Sequence, residues 1–385
     1  MQEIYLDNSA TTRPYDEVIE LMARVMRTGY GNPSSNHAKG MEAEKIVREA
    51  REALARALGC RVEEIMFTSG GTESNNQAIK GAAYRHRRRG NHIITSAIEH
   101  PSVLNCCRRL EEEGFKVTYV PVDSEGYILV EELARALSAQ TILVSLAHVN
   151  NEIGTIQPLD QIGPMIKKNN PQTLFHVDGA QALAKVPVEL DRWQADLYSC
   201  SAHKIHGPKG VGALWIKANT MLQPLLEGGG QEGGLRSGTE NVPGIAGFGL
   251  AVRRSVKLMQ ANNDLMYGLK ERLLQGLQKA GVTVSVNGPP PRRSAPHLLN
   301  LCFPGIKADI LLRALEQEGI YASAGSACHS RHPQPSHVLQ ATGLDEDMIA
   351  ASLRFSFSGL NSVAEIDTVV KQIVKSVTEL RQILP

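Results

Sequence analysis

The sequence predicts an α/β protein: a large, mostly parallel sheet flanked by helices, followed by a smaller α+β C-terminal domain. Three observations lead there. Seven short apolar runs alternate with amphipathic stretches up to residue 217, the rhythm of βα units. Several of these runs are apolar throughout, as expected of strands buried on both faces. Beyond them comes one long helical stretch to about Ala280, and then strands and helices in a different rhythm.

The seven runs are EIMFTSG (64–70), HIITSAI (92–98), KVTYVPV (116–122), TILVSLAHV (141–149), TLFHVDG (173–179), ADLYSCS (195–201) and GALWIK (212–217). Helical periodicity lies between them, as in EKIVREAREALARALG (44–59) and VEELARALSA (130–139). After the long helix come VTVSVNG, a PPPRR loop, HLLNLCF, the helical ADILLRALEQEG, a loop around Cys328, the strand ASLRFSF and a final helix. Residues 14–256 are expected to form the large domain. Residues 1–13 and 257–385 are expected to form the small one, which carries a loop at about 323–337. No internal repeat or low-complexity tract interrupts the pattern.

Composition narrows the function. The 385 residues carry 41 Lys and Arg against 40 Asp and Glu. No global basic excess points to nucleic acid or a membrane surface. The start, MQEIYLDNSA, lacks the basic-then-apolar pattern of a signal peptide, and no apolar stretch is long enough to span a bilayer. A cytoplasmic protein is expected. The six cysteines, Cys60, Cys106, Cys107, Cys200, Cys302 and Cys328, form no CxxC pair and suggest no disulfide framework.

In open α/β sheets, ligands bind outside the C-terminal ends of the strands. The residues just past each strand are therefore informative. The first run leads into TSGGTESNN, where Gly71 and Thr72 open a helix. Free N–H groups, the positive end of the helix dipole and a hydroxyl make a phosphate cradle there. Later runs deliver His100 (EHPS), Asn150 (HVNNEIGT), Asp178 and Gln181 (VDGAQ) and Lys204 (SAHK). Each has an ordinary explanation alone: a turn, an N-cap, a structural histidine. Gathered on one rim, they suggest a site.

A phosphate cradle, a carboxylate and a lysine together suit pyridoxal phosphate. The amine can form a Schiff base with its aldehyde, and the carboxylate can pair with the pyridine nitrogen. Lys204 sits in SCSAHKIHGP, among small residues and two histidines. Small neighbours, partial burial and nearby cationic imidazoles would all favour the neutral amine. No GxGxxG follows a strand, which sets aside a dinucleotide site.

The ordered set YLDNSATT, TSGGTESNN, EHPSV, VNNEIGT, HVDGAQ, SAHKIHGPKG, GGGQEGGLRSGTEN and SAGSAC resembles the NifS/IscS-type cysteine desulfurases. These are class-V aminotransferase-like homodimers of the fold-type-I, pyridoxal-phosphate-dependent enzymes. The resemblance runs from residue 4 to past residue 357. It implies that Lys204 is the Schiff-base lysine, that Asp178 pairs with the pyridine nitrogen, and that Gln181 bonds the phenolic oxygen. It implies that His100 stacks on the ring and shuttles protons, and that Gly71, Thr72, Ser201 and His203 hold the phosphate. Thr239 would reach the phosphate of the partner subunit. Asn150 would lie by cofactor and substrate carboxylate, and Arg354 would clamp that carboxylate, a role suited to a planar guanidinium.

Fold and cofactor do not fix the reaction. The discriminating segment is SAGSACHSRHPQPSH (323–337). Small residues precede Cys328 and polar residues follow it, whereas Cys302 sits in apolar LLNLCFPG. The resemblance implies that L-cysteine gives up its sulfur to Cys328 as a persulfide, leaving alanine. An acceptor for iron–sulfur cluster assembly or tRNA or cofactor thiolation then takes the sulfur. His329, Arg331 and His332 would favour the thiolate. The family's loops carry Thr or Ser after the cysteine, and here His329 stands there. Cys328, His329, His332 and His337 could alternatively bind zinc or copper, although their spacing matches no familiar zinc motif.

Other readings use the same residues. An aminotransferase or a selenocysteine or sulfinate lyase shares this equipment. A degenerate binding protein would not need Lys204, Asp178, His100, Cys328 and Arg354 together. The run YRHRRRG (84–90) reads first as a helix end whose cations favour the dipole, and second as a docking patch for an acidic partner or tRNA.

Overall fold

A computed structural model describes residues 3–324 and 335–383. The chain opens with β1 (Ile4–Tyr5), α1 (Asp16–Thr28) and α2 (Ala38–Leu58). Helix α1 was not among the expected elements, and its start has no capping side chain. Helix α2 stops at Gly59, whose φ of 67° is the left-handed geometry that glycine adopts without strain.

The seven apolar runs form one seven-stranded sheet. Its strands are β2 (Ile65–Thr68), β3 (His92–Ser96), β4 (Lys116–Val120), β5 (Thr141–Ala147), β6 (Leu174–Asp178), β7 (Leu197–Ser201) and β8 (Gly212–Ile216), in the order β2-β8-β7-β6-β5-β3-β4. Strand β8 runs antiparallel to both neighbours, and the other contacts are parallel. The strands end earlier than the runs did. The residues trimmed from them, such as Ser69 and Gly70, turn the chain over the rim.

Helices α3 (Gly71–His86), α4 (Pro101–Glu112), α5 (Val130–Ala136) and α6 (Leu159–Asn169) return the chain between parallel strands. At the end of α3, His86 bonds the Met221 carbonyl at 3.1 Å and Arg87 donates to the Glu113 carbonyl at 3.0 Å. These contacts agree with the helix-end reading of the basic run.

Two separate apolar cores matter for the site. One lies against the large sheet and includes Phe67, Ile94, Val144, Phe175 and Phe248. The other gathers Ile4 and Leu6 with Leu301, Leu311, Phe355 and Ile373. Its strands are β9 (Ser285–Asn287), β10 (Leu298–Cys302), β11 (Ile320–Tyr321) and β12 (Ser352–Ser356), and its helices include α8 (Ala308–Gln317). Helices α9 (His337–Ala341), α10 (Glu346–Ala350) and α11 (Val363–Ile383) complete the described chain.

The long helix α7 (Val242–Lys279) serves both cores. Val242, Ile245, Phe248 and Val252 pack on the first, and Met266, Leu269, Leu273 and Leu277 on the second. At 1.5 Å per residue it is about 57 Å long. Each fully buried Leu or Phe on it contributes roughly 1.5–3 kcal/mol of transfer free energy. The chain's first strand pairs in parallel with β11, and Asp7 bridges to Ser356. The N-terminal segment is thereby drawn back onto the C-terminal core.

Candidate active site

The C-terminal ends of β3, β5, β6 and β7 open onto a cavity of about 310 Å³. Strand β7 ends at Ser201, and one 3-10 turn, Ala202–Lys204, follows it. That turn carries the Lys204 amine to the cavity wall, where it donates to the carbonyls of Ser9 (2.5 Å) and Ala10 (2.7 Å).

The two histidines beside Lys204 correct the sequence expectation. Burial, reinforced by Lys204, Lys209 and other cations, pushes His203 down to about 3. Burial also pushes His206 down to about 4. Both are neutral at pH 7, so neither is the cationic neighbour that the sequence suggested. A buried amine nearby, Lys185, is itself pushed down to about 7 by burial and then by Lys204.

Gly71 and Thr72 start α3 on the cavity wall, as expected. Gly70 before them has φ 153° and ψ −179°, a conformation essentially restricted to glycine. Ser201 and His203 face the same end. The buried Ser201 hydroxyl has no hydrogen-bond partner among the described residues. An orphaned hydroxyl beside a helix N-terminus fits a phosphate group that would complete both.

Asp178 ends β6. It accepts from the Ala180 N–H (3.0 Å) and from Asn75 Nδ2 (2.7 Å). Asn75 also donates to the Ser102 hydroxyl at 2.8 Å. Ser102 lies 2.8 Å from His100 Nδ1, and its backbone N–H donates to that nitrogen at 3.1 Å. A backbone N–H cannot accept, so Nδ1 is the unprotonated nitrogen. The neutral His100 ring therefore carries its proton on Nε2. Burial, then Lys204 and His337, hold His100 below its ordinary value against the opposing pull of Asp178. Sequence reasoning missed Asn75 and Ser102. Asn75 lies four residues after Gly71, on the same helix face, which was an available signal.

Gln181 lines the cavity. Its amide nitrogen donates to the Ser9 carbonyl at 2.9 Å and lies 3.2 Å from the Ser9 hydroxyl. Arg354, in β12, is buried at the opposite wall. It donates to Asp7 Oδ1 (2.9 Å) and to the Asn151 carbonyl (3.1 Å), and its Nε has no partner among the described residues.

Two expected residues stand apart. Asn150 does not line the cavity. Its side chain donates to the Ile98 carbonyl (3.0 Å) and accepts from the N–H groups of Glu152 and Ile153. Its polar atoms are spent on holding the turn after β5, and the neighbouring Asn151 reaches the cavity instead. Thr239 is exposed and is not on the cavity wall of its own chain.

Cys328 lies outside the described residues, as do His329, Arg331 and His332. Among the described thiols, burial pushes Cys60 and Cys106 up to about 12 and also raises Cys107, Cys200 and Cys302. These groups stay protonated at neutral pH. His337 Nε2 lies 2.9 Å from the Glu99 carbonyl. That carbonyl can only accept, so this nitrogen carries a proton and is not free to ligate a metal.

Comparison with known proteins points the same way. The sequence model of the family described as aminotransferase class-V matches residues 4–369. A cysteine desulfurase IscS of Methanosarcina thermophila is 45% identical over 382 residues, covering 99% of this chain and 94% of that protein. One of Clostridium botulinum is 43% identical over 385 residues, covering 100% of this chain and 96% of the relative. Among solved structures, a NifS-like protein superposes with a TM-score of 0.92 at 40% identity, covering 98% of this chain and all of that one. SspA, solved in complex with cysteine, superposes with a TM-score of 0.82 at 35% identity, covering 94% of this chain and all of that one.

Proposed function

Because the chain belongs to the aminotransferase class-V family, we propose that it is a pyridoxal-phosphate-dependent cysteine desulfurase, acting on L-cysteine. The observation that carries this reading is the convergence of the Lys204 amine, the Asp178 carboxylate and the orphaned Ser201 hydroxyl on one cavity.

When bound, pyridoxal phosphate supplies an aldehyde that condenses with amines and a ring that accepts electrons. The chain's residues do the rest. Ser201, Thr72, His203 and the N–H groups opening α3 bind the phosphate. Asp178, oriented by Asn75 and by the Ala180 N–H, offers a carboxylate to the pyridine nitrogen. Gln181 faces the phenolic oxygen. His100 would stack on the ring, with the proton of its neutral form on Nε2. Lys204 would hold the cofactor through its amine, and its Nζ would take the α-proton of the substrate. Arg354 grips the substrate carboxylate.

Cys328 thiolate attacks the substrate sulfur. One S–S bond forms and the C–S bond breaks, so cysteine and a thiol become alanine and a persulfide with no outside oxidant. The described thiols are held protonated by burial, which supports Cys328 as the nucleophile. The persulfide sulfur then passes to an acceptor protein. Iron–sulfur cluster assembly and tRNA or cofactor thiolation are its proposed destinations.

The exposure of Thr239 supports a homodimer in which this residue completes the partner's phosphate site. The second core, which joins Ile4 and Leu6 to residues 266–377, supports a division into residues 14–256 and residues 1–13 with 257–385, although Val338, Leu339 and Ile349 pack in the first core. A cytoplasmic setting is in keeping with the described helices, none of which is long and apolar enough to cross a membrane.

The test is peptide mass spectrometry on protein mixed with L-cysteine without reductant, together with an alanine assay. One added sulfur on the Cys328 peptide, with alanine formed, is expected. Alanine formed without sulfur on that peptide refutes the role of Cys328. Neither product from cofactor-loaded protein refutes the desulfurase.

A further inference from the structure

A glutamine amide is nearly symmetric in shape, and its oxygen and nitrogen have opposite hydrogen-bonding roles. Which of them faces the cavity at Gln181 is decided by what lies behind it. Gln181 Oε1 is 3.1 Å from His297 Nε2 and 3.5 Å from Lys185 Nζ. We propose that Lys185 and His297 are positioning residues, a buried two-donor clamp that fixes the Gln181 amide with its NH2 toward Ser9 and the cavity, as the donor for the cofactor's ring oxygen.

Both clamp residues are buried and built in. His297 is fully buried, and its carbonyl accepts from the Phe357 N–H at 2.9 Å. The loop before it is held by Lys270, whose ammonium donates to the Pro291 carbonyl, the Ser294 hydroxyl and the Ala295 carbonyl. Lys185 lies four residues after Gln181 in the turns that follow β6, and its own carbonyl is tied to Asn263 of α7 at 2.8 Å.

The donor assignment rests on chemistry. Burial, then Lys185, Lys270, Lys204 and Arg354, hold His297 far below its ordinary value, so the ring is neutral and carries one proton. Its Nδ1 is buried with no partner among the described residues. The stabilising place for that proton is Nε2, facing Gln181 Oε1. Lys185 keeps at least two N–H bonds whether it is charged or neutral, so it donates in either state. A flipped amide would turn its NH2 group onto these two donors and leave it unsatisfied in a buried place, which is costly. The clamp therefore leaves an N–H donor, rather than a repelling carbonyl, for a phenolic oxygen.

This inference rests on the cofactor reading above, and the experiment separates the two. Purified holoenzyme is titrated with base, and the visible absorption band of the lysine-bound cofactor is followed. A donor to the ring oxygen lowers the pH at which that band titrates. In His297→Leu the midpoint is expected to rise by roughly half a unit or more, as loss of one neutral hydrogen bond implies. Lys185→Met should move it in the same direction. His297→Asn, which can keep a donor at this place, should restore most of the wild-type value.

The charges acting on His297 are Lys185, Lys270, Lys204 and Arg354. His297→Leu and His297→Asn leave all four in place, whereas Lys185→Met also removes an amine that acts on Lys204, so the His297 variants carry the test. In a Gln181→Leu background the His297→Leu shift should vanish, because the clamp acts through Gln181. An unchanged midpoint in both His297→Leu and Lys185→Met overturns the inference. So does the same shift with Gln181 removed. Wild-type protein that binds no visible-absorbing cofactor overturns both this inference and the reading beneath it.

Discussion

Arg354 and Asp7 are 347 residues apart in sequence, yet the guanidinium donates to the carboxylate at 2.9 Å with Arg354 only 2% exposed. A charge buried that deeply needs a partner. The pairing also holds Arg354 in the cavity wall, where its Nε has no partner among the described residues. Replacing Arg354 by Lys keeps the charge and loses the planar fork. We expect kcat/KM for L-cysteine to fall about 10–100-fold, the equivalent of one charge-assisted hydrogen bond. Steady-state alanine release measures this, and unchanged kcat/KM removes Arg354 from substrate binding.

Ser201 offers a split between binding and folding. Its hydroxyl has no partner among the described residues, so removing it leaves no protein group unsatisfied. In Ser201→Ala the cofactor-free protein should keep its stability within about 0.5 kcal/mol. The dissociation constant of the cofactor should rise about 10–100-fold through one lost bond to an anion. Fluorescence titration with pyridoxal phosphate reads the second quantity and urea unfolding the first. Equal cofactor affinity in the two proteins would sink the phosphate assignment.

Glu99, beside His100, is buried, and Oε2 has no partner among the described residues. Burial pushes it up to about 8. The folded protein keeps this proton between about pH 4.5 and 8, where the unfolded chain releases it. The group's contribution is therefore complete below about pH 4.5 and is lost as pH rises through about 8. Glu99→Gln mimics the protonated acid at every pH. Between pH 6 and 9 the wild type should lose about 2–3 kcal/mol that the variant keeps. Urea midpoints that run parallel for the two proteins over that range would contradict a neutral Glu99.

Gly179 sets the position of Asp178 from the following residue. A Cβ placed there would lie 2.0 Å from the ring of buried Tyr198. Gly179→Ala must push this ring or the end of β6, and we expect a loss of about 3 kcal/mol or more. A Tyr198→Leu background should relieve most of that penalty. Thermal unfolding of the four proteins in the cycle checks it, and additive losses would show that the ring is not the obstacle.

Much of this was legible in the sequence because the large sheet is made of runs that announce themselves. The strand Thr141–Ala147 is buried on both faces, and the site residues sit at strand ends, where topology collects them. Lys204, Asp178, Gly71 and Thr72 reach one cavity for that reason. Asn150 was misplaced because adjacent residues of a turn point in different directions, and its neighbour Asn151 reaches the cavity. Asn75 could have been read from its four-residue spacing after Gly71, whereas Ser102 and Asp7 were invisible as site residues because their roles depend on partners distant in sequence. The charge state of His203 and His206 depends on burial, which a sequence pattern does not measure.

The return of the N-terminal segment onto the last third of the chain has a consequence for biosynthesis. Ser9 and Ala10 receive the Lys204 amine, and Asp7 meets Arg354. During translation the first dozen residues leave the ribosome long before their partners exist. At roughly 5–20 residues per second, Asp7 waits roughly 17–70 s for Arg354 to be made. A product cut short before Arg354 contains every strand of the large sheet and the residues of the phosphate cradle, yet it lacks the arginine proposed to grip substrate. A complete substrate site therefore becomes a property of finished chains.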